Sequence, residues 1–258
     1  MISGASTPTP LADRNRLGHG HLMRLPSLSL TLFAMLTVGC AASKPGTISG
    51  RVVLIGTPPP ARPIEAVMQD PNARRFHVTA PLTRTFVVSR DGGLADVFVR
   101  IKSGLEGRTF DVPGDRPLIE TSGTLFHPEV TGVMAGQPFR IRSADPMLHN
   151  LAATPRAKGG FNVAVANQGQ VDIKNFATPE LFVKLSCNVH PWELCYLCVE
   201  AHPFFSVTGA DGRFVLPAGL PAGTYEVEAV HRKGGSMTQT VQFDGKTALD
   251  LRFQLQAP

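Results

Sequence analysis

The chain has 258 residues, a formal charge of +5, and 25 glycines and 22 prolines scattered rather than run together. That length suits one large or two modest domains, and the glycine and proline usage suits short strands joined by turns rather than helices. No lysine or arginine cluster falls on any expected element, which excludes nucleic acid as a partner, and the body of the chain has no apolar run long enough to span a membrane.

The longest apolar stretch lies between Leu25 and Gly39. Arg24 precedes an apolar core, Leu28 to Leu36, and Thr37-Val38-Gly39-Cys40-Ala41 follows. This reads as an export signal. Small residues before a cysteine resemble a bacterial lipobox, which implies lipidation of Cys40 and a place in the periplasm or cell envelope, held to the outer membrane by the lipid. An ordinary secretory signal, with a secreted product, is the alternative. Met23 is the better initiator, because residues 1 to 22 are Pro/Ser/His-rich and have no evident role. Removing residues 1 to 39 takes away Arg14, Arg16 and Arg24 against Asp13, which leaves +3. Export permits disulfides, yet Cys187, Cys195 and Cys198 are an odd set. At least one of these thiols is free, intermolecular or a metal ligand.

After a short tether, Gly46 to Leu54 alternates as a strand that Pro58-Pro59-Pro60 must end. Residues 61 to 83 show little periodicity and are expected to be loop. Strands are expected at Thr85 to Ser89 and Val97 to Lys102, with a turn at Arg90-Asp91-Gly92-Gly93 between them. Short strands then follow closely: Pro117 to Glu120, Val130 to Met134, Pro138 to Arg142, Phe161 to Ala166, Gln170 to Asn175, Leu181 to Leu185 and Tyr196 to Glu200. Helical periodicity is nowhere sustained, and the class is all-β, with β-sandwich patterning.

The tail carries an Asp211-Gly212 turn flanked by strands, then Leu220-Pro221-Ala222-Gly223-Thr224-Tyr225, and a last hairpin is expected around Asp244-Gly245. These motifs resemble the carboxypeptidase regulatory-like (transthyretin-like) sandwich. Gly50-Arg51-Val52 and Ala95 to Val99 look like that family's first two strands. The resemblance implies one such sandwich, residues 46–105 plus 203–255, interrupted by a second domain at 110–202. Two domains in tandem is the alternative.

The interrupting segment contains Cys187-Asn188-Val189-His190-Pro191-Trp192-Glu193-Leu194-Cys195 at the end of an apolar strand, and His149-Asn150 about forty residues upstream. With Val130 to Phe139 and Phe161-Asn162 it resembles the plastocyanin/amicyanin-like cupredoxins, a Greek-key sandwich. It is closer still to exported bacterial proteins that join such a domain to a regulatory-like one. The resemblance implies one mononuclear copper held by His149, Cys187 and His190, with Asn150 and Trp192 supporting the loops. Two imidazoles and a thiolate suit both copper oxidation states. The usual axial methionine is missing. Its position holds Glu193, a hard donor that favours Cu(II) and lowers the potential, as in a red-copper site. Cys195 as a second thiolate is an alternative axial donor, and a Glu193 turned to solvent would instead leave a three-coordinate site.

A Cys187–Cys195 disulfide would abolish the site. Cys195-Tyr196-Leu197-Cys198 falls in a strand, where its thiols face opposite ways, so it is not a redox pair. His127, His202 and His231 are expected to be surface or structural. No hydrolytic constellation is present, and an enzyme is not expected. The reading is a copper-binding protein of electron transfer or copper handling, with an unknown redox partner in the envelope. The alternative is a non-catalytic β-sandwich module that binds a glycan or envelope partner and carries a vestigial site.

Overall fold

The structure, a computed structural model, describes residues 46–258. The expected export signal, the expected lipidation site Cys40 and the tether lie outside the described residues.

Two groups of strands pair only among themselves. The outer group comprises β1 (Ile48–Ile55), β2 (Phe98–Ser103), β12 (Phe205–Val207), β13 (Arg213–Val215), β14 (Gly223–His231), β15 (Gly235–Phe243) and β16 (Leu249–Gln256). They form sheets in the orders β13-β1-β16 and β12-β2-β14-β15. The apolar faces of these sheets meet in one core, with Ile48, Val52, Phe214 and Phe253 from the first and Val99, Ile101, Tyr225 and Val227 from the second. Gly50 is required by packing. A Cβ there would lie 2.1 Å from the Leu251 carbonyl oxygen on the parallel neighbour β16. Tyr225 is buried and its hydroxyl donates to the Pro221 carbonyl at 2.8 Å, which gives the Leu-Pro-x-Gly-x-Tyr run a physical role.

The inner group comprises β3 (Leu118–Ser122), β4 (Leu125–His127), β5 (Val130–Met134), β6 (Phe139–Ser143), β7 (His149–Thr154), β8 (Phe161–Val165), β9 (Val171–Lys174), β10 (Glu180–Ser186) and β11 (Leu194–Glu200). Its sheets run β5-β11-β10-β7-β8 and β4-β3-β6-β9. β5 lies parallel to β11 and β3 parallel to β6, and the remaining pairs are antiparallel. Phe126, Phe139 and Ile141 face Leu151, Val183, Leu185 and Leu197 across the core. β7 lies inside its sheet, between β8 and β10, so it carries His149 in from the sandwich itself.

The two groups meet at Phe98, Val130 and Cys198, with Phe205, Tyr196 and Phe182 packed around them. Arg100 spans the junction, bonding Glu200 of β11 and Glu228 of β14 at 2.9 Å each. β10 carries a bulge between Glu180 and Val183, where Phe182 takes a left-handed φ of 55°. Such a bulge re-aims side chains, and Phe182 here joins the junction rather than the core.

Four expectations need correction. Thr85 to Ser89 is not a strand; only an isolated bridge joins Val88 to Leu94. The Asp244-Gly245 turn does not close a hairpin, because β15 and β16 belong to different sheets and the turn crosses between them. The hairpin lies one turn earlier, between β14 and β15, which pair from Gly223↔Phe243 to His231↔Gly235. The strands flanking Asp211-Gly212 likewise go to separate sheets: β12 pairs with β2 and β13 with β1. β4 and β7 form where the sequence reading placed no strand.

Residues 61 to 83 do form a loop, and it is folded on itself. It contains a five-residue helix, α1 (Glu65–Gln69), and a 3-10 turn at Arg74–Phe76. Backbone bonds from Ile64 N to the Pro81 oxygen (2.8 Å) and from Thr83 N to the Arg62 oxygen (2.9 Å) close its neck. Val67 and Ala73 are fully buried.

Candidate metal centre

The apolar alternation of β10 ends at Ser186, and the chain leaves the sheet at Cys187. The Glu193 amide bonds the His190 carbonyl at 2.9 Å, and the Cys187 amide bonds the Glu193 carbonyl at 3.2 Å, which rolls the segment into a closed loop before β11 begins. The His190 amide also donates to the Cys187 sulfur at 3.4 Å. Asn150, next to His149 on β7, ties the two segments together. Its Oδ1 accepts from the Asn188 amide at 2.6 Å and from the Cys187 thiol at 3.4 Å, while its Nδ2 donates to Asn162 on β8.

The result is a buried cluster. His149, Cys187, His190 and Glu193 each offer a donor atom, and all four atoms lie within 4.8 Å of one another. His149 Nδ1 lies 3.2 Å from His190 Nδ1, and His190 Nδ1 lies 3.7 Å from Cys187 Sγ. Both Glu193 oxygens stand 3.1 Å from His149 Nδ1, and Oε2 is 3.5 Å from His190 Nδ1. Glu193 is 0% exposed and His190 2%. Glu193 therefore points inward, not into solvent. These edges fit a common metal about 2.0 Å from each nitrogen and about 2.3 Å from the sulfur, the usual lengths of such bonds. The donor set and its spacing fit one copper ion.

The titratable groups of the cluster shift one another strongly. Burial works to lower His149, but its contacts with Asp145, Cys187 and Glu193 outweigh it and raise the imidazole to about 11. Burial likewise opposes His190, yet Cys187 and Glu193 lift it to about 9. For Cys187, burial works upward, and hydrogen bonds to both histidines bring the thiol down to about 7. Burial would raise Glu193 as well, but the two histidines hold it below the usual carboxylate range. A thiolate and a carboxylate that neighbouring imidazoles favour despite burial are ready ligands.

Two supporting residues have roles that the sequence did not assign. Thr121 on β3 donates its hydroxyl to Glu193 Oε1 at 3.0 Å, which fixes the carboxylate from the opposite sheet. Asp145 accepts the amides of Gly123 and Thr124 at 2.7 and 2.8 Å, and its Oδ2 stands 3.3 Å from His149 Nε2 as a bent ion-pair contact. A carboxylate on the outer nitrogen of a ligating histidine fixes ring orientation and raises its basicity. The sequence signal was the spacing of four between Asp145 and His149, which became meaningful once the β3–β4 turn supplied the two amides.

The remaining candidates fall elsewhere. Trp192 donates its indole N–H to the Thr124 carbonyl at 3.1 Å, and its ring lies 5.4 Å from that of His190. Cys195 belongs to the core of the inner sandwich and Cys198 to the junction, on opposite faces of β11. All three described cysteines are free, so no Cys187–Cys195 disulfide forms, and Cys195 stands outside the four-residue cluster. His127 is exposed. His202 bonds the Ile101 carbonyl at 2.7 Å, and His231 accepts the Gly234 amide at 2.9 Å.

The folded loop of the outer sandwich covers this region. His77 lies 2.6 Å from the Gly123 oxygen, in the turn that holds Asp145. Asp70 is near enough to feel the charge of His190; the Ala73 amide is the chief cause holding its carboxyl low.

No protein-family model matches the chain, and no curated protein matches it. Several solved structures do. A purple cupredoxin from Nitrosopumilus maritimus is 19% identical, covering 33% of this chain and 99% of its own, with a TM-score of 0.28. An oxidised proline-to-glycine variant of amicyanin is 13% identical over 40% of this chain and 98% of its own, with a TM-score of 0.31. A copper-containing nitrite reductase from Thermus scotoductus is 11% identical over 57% of this chain and 28% of its own, with a TM-score of 0.32. At these scores the likenesses add no weight to the site, whose reading rests on the geometry above.

Proposed function

We propose that residues 110–202 are a cupredoxin-like domain that binds one copper through His149, Cys187, His190 and Glu193. On this reading the domain interrupts a regulatory-like sandwich made of residues 46–105 and 203–255. The observation that carries it is the convergence of two imidazole nitrogens, one thiol and one carboxylate, all buried, within 4.8 Å. A site abandoned after loss of its axial ligand would not need Thr121 and Asp145 to hold the remaining donors in place. That favours a working centre over the vestigial one of a plain binding module.

Copper bound there would cycle between Cu(I) and Cu(II). The chain's own part is to supply donors, orient them and exclude water. A buried carboxylate donor favours Cu(II) and a lowered potential, which suits slow redox chemistry, sensing or copper handling more than fast shuttling. Burial of both imidazoles and the covering loop support the same preference. Export and a lipid anchor at Cys40 would put this chemistry in the cell envelope, with a redox partner there.

Metal analysis after equilibrium dialysis of the reduced chain tests the reading. One copper per chain is expected, with loss of stoichiometric binding in Cys187→Ser. A chain that retains no copper under these conditions sinks it.

A further inference from the structure

Beside the metal cluster, and separate from it, lies a cavity of about 130 Å³ between the neck of the covering loop and the Cys-His segment. Trp192, Leu194 and Tyr196 wall it on one side, and Ile64 and Leu82 on the other. An enclosed apolar cavity of about 150 Å³ is known to accept a benzene ring, so a single six-membered ring is of a size to fit this cleft, which is open to solvent. Two aromatic side chains on one wall favour a planar occupant.

The polar groups narrow the choice further. Glu129, between β4 and β5, lines the cavity, yet its carboxylate makes no hydrogen bond or ion pair among the described residues. Its two cationic neighbours are engaged otherwise: the Arg232 guanidinium lies 4.2 Å from the Tyr196 ring centre, and Arg84 bonds Asp96 at 3.3 Å. Burial, with Asp96 nearby, pushes Glu129 up to about 7, as befits a carboxyl that lacks a donor. An occupant should therefore offer a hydrogen-bond donor to Glu129. Arg84 and Arg232 line the cavity together with Glu129, so its charges oppose one another and a neutral molecule fits best.

We propose that this cavity binds a neutral single-ring hydroxyarene, with its hydroxyl donating to the Glu129 carboxylate and its ring against Trp192 and Tyr196. The occupant would sit one indole away from His190, whose ring is 5.4 Å from that of Trp192. Binding does not require the metal, so this proposal and the copper reading stand or fall separately.

Trp192 is the only tryptophan of the chain, so its fluorescence reports on the cavity directly. The metal-free full chain is titrated with phenol and, in parallel, with benzene and aniline. Saturation-transfer NMR on the same samples covers a binding event that leaves the indole emission unchanged. Saturable phenol binding is expected, at least tenfold tighter than that of benzene, with the difference removed in Glu129→Ala. Thr85→Phe, which fills the cavity from the loop side, is expected to abolish binding, with unchanged circular dichroism showing that it folds. The proposal is overturned by no saturable phenol binding in either readout. It is equally overturned by benzene binding as tightly as phenol, by aniline binding more tightly, or by Glu129→Ala leaving phenol affinity unchanged.

Discussion

Glu193 would set the character of the proposed copper centre. Its carboxylate is fully buried, it touches both histidines, and the Thr121 hydroxyl fixes it from the opposite sheet at 3.0 Å. A thioether in its place would remove a negative charge from the cluster and favour Cu(I). Glu193→Met should therefore raise the copper reduction potential and shift the visible spectrum, as checked by voltammetry of the loaded protein. An unchanged potential and spectrum would show that Glu193 is not a ligand. The four residues of the cluster were legible in the sequence because three lie on one loop and His149 is followed by the asparagine that ties the loops. The supporting roles of Thr121 and Asp145 were not. Their roles depend on the β3–β4 turn, which offers two amides to Asp145, and on β3 facing the loop across the sandwich.

Among the elements, strands with strict alternation were the readable ones, and Val130–Met134 was placed to the residue. β7 was not readable, because His149 to Thr154 is buried almost throughout and so has no polar-apolar alternation. The tail turns were legible as turns but not as crossings. An Asp-Gly step fixes a local bend, whereas the choice between pairing back and crossing to the other sheet depends on which strand β1 recruits. It takes β13 and β16. The junction between the groups is equally specific. At Gly132 on β5, an added Cβ would stand 2.6 Å from Phe205 and 2.9 Å from Phe98. Gly132→Ala should cost about 1–3 kcal/mol through overpacking of two rings already in contact. The readout is the urea midpoint; an unchanged midpoint would mean that the rings yield freely.

At the scale of the molecule, the outer sandwich does more than flank the inner one, since its covering loop reaches the turn that holds Asp145. Nothing in residues 61 to 83 announced this, because a loop that packs through Val67 and Ala73 leaves no periodicity to read. The outer sandwich also carries its own acid sensitivity. Burial, then the nearby Arg232, lowers His231 to about 4, and its Nδ1 accepts the Gly234 amide, which protonation would disrupt. Above pH 6.5 both folded and unfolded forms are neutral there. Between pH 6.5 and 4 the unfolded chain takes the proton first, so stability should fall by about 3 kcal/mol and level off below that window. Glu129, raised to about 7, acts in the opposite sense as pH falls. The His231 share is therefore read as wild type minus His231→Gln in urea melts across that range. A difference that stays flat with pH would contradict it.

The visible spectrum of the chain loaded with one equivalent of Cu(II) tests the central claim most directly. A buried Cys187 thiolate bound to the metal gives an intense sulfur-to-copper charge-transfer band, and that band should vanish in Cys187→Ser. Copper bound with only weak ligand-field absorption, the same in wild type and variant, would contradict a thiolate-ligated centre.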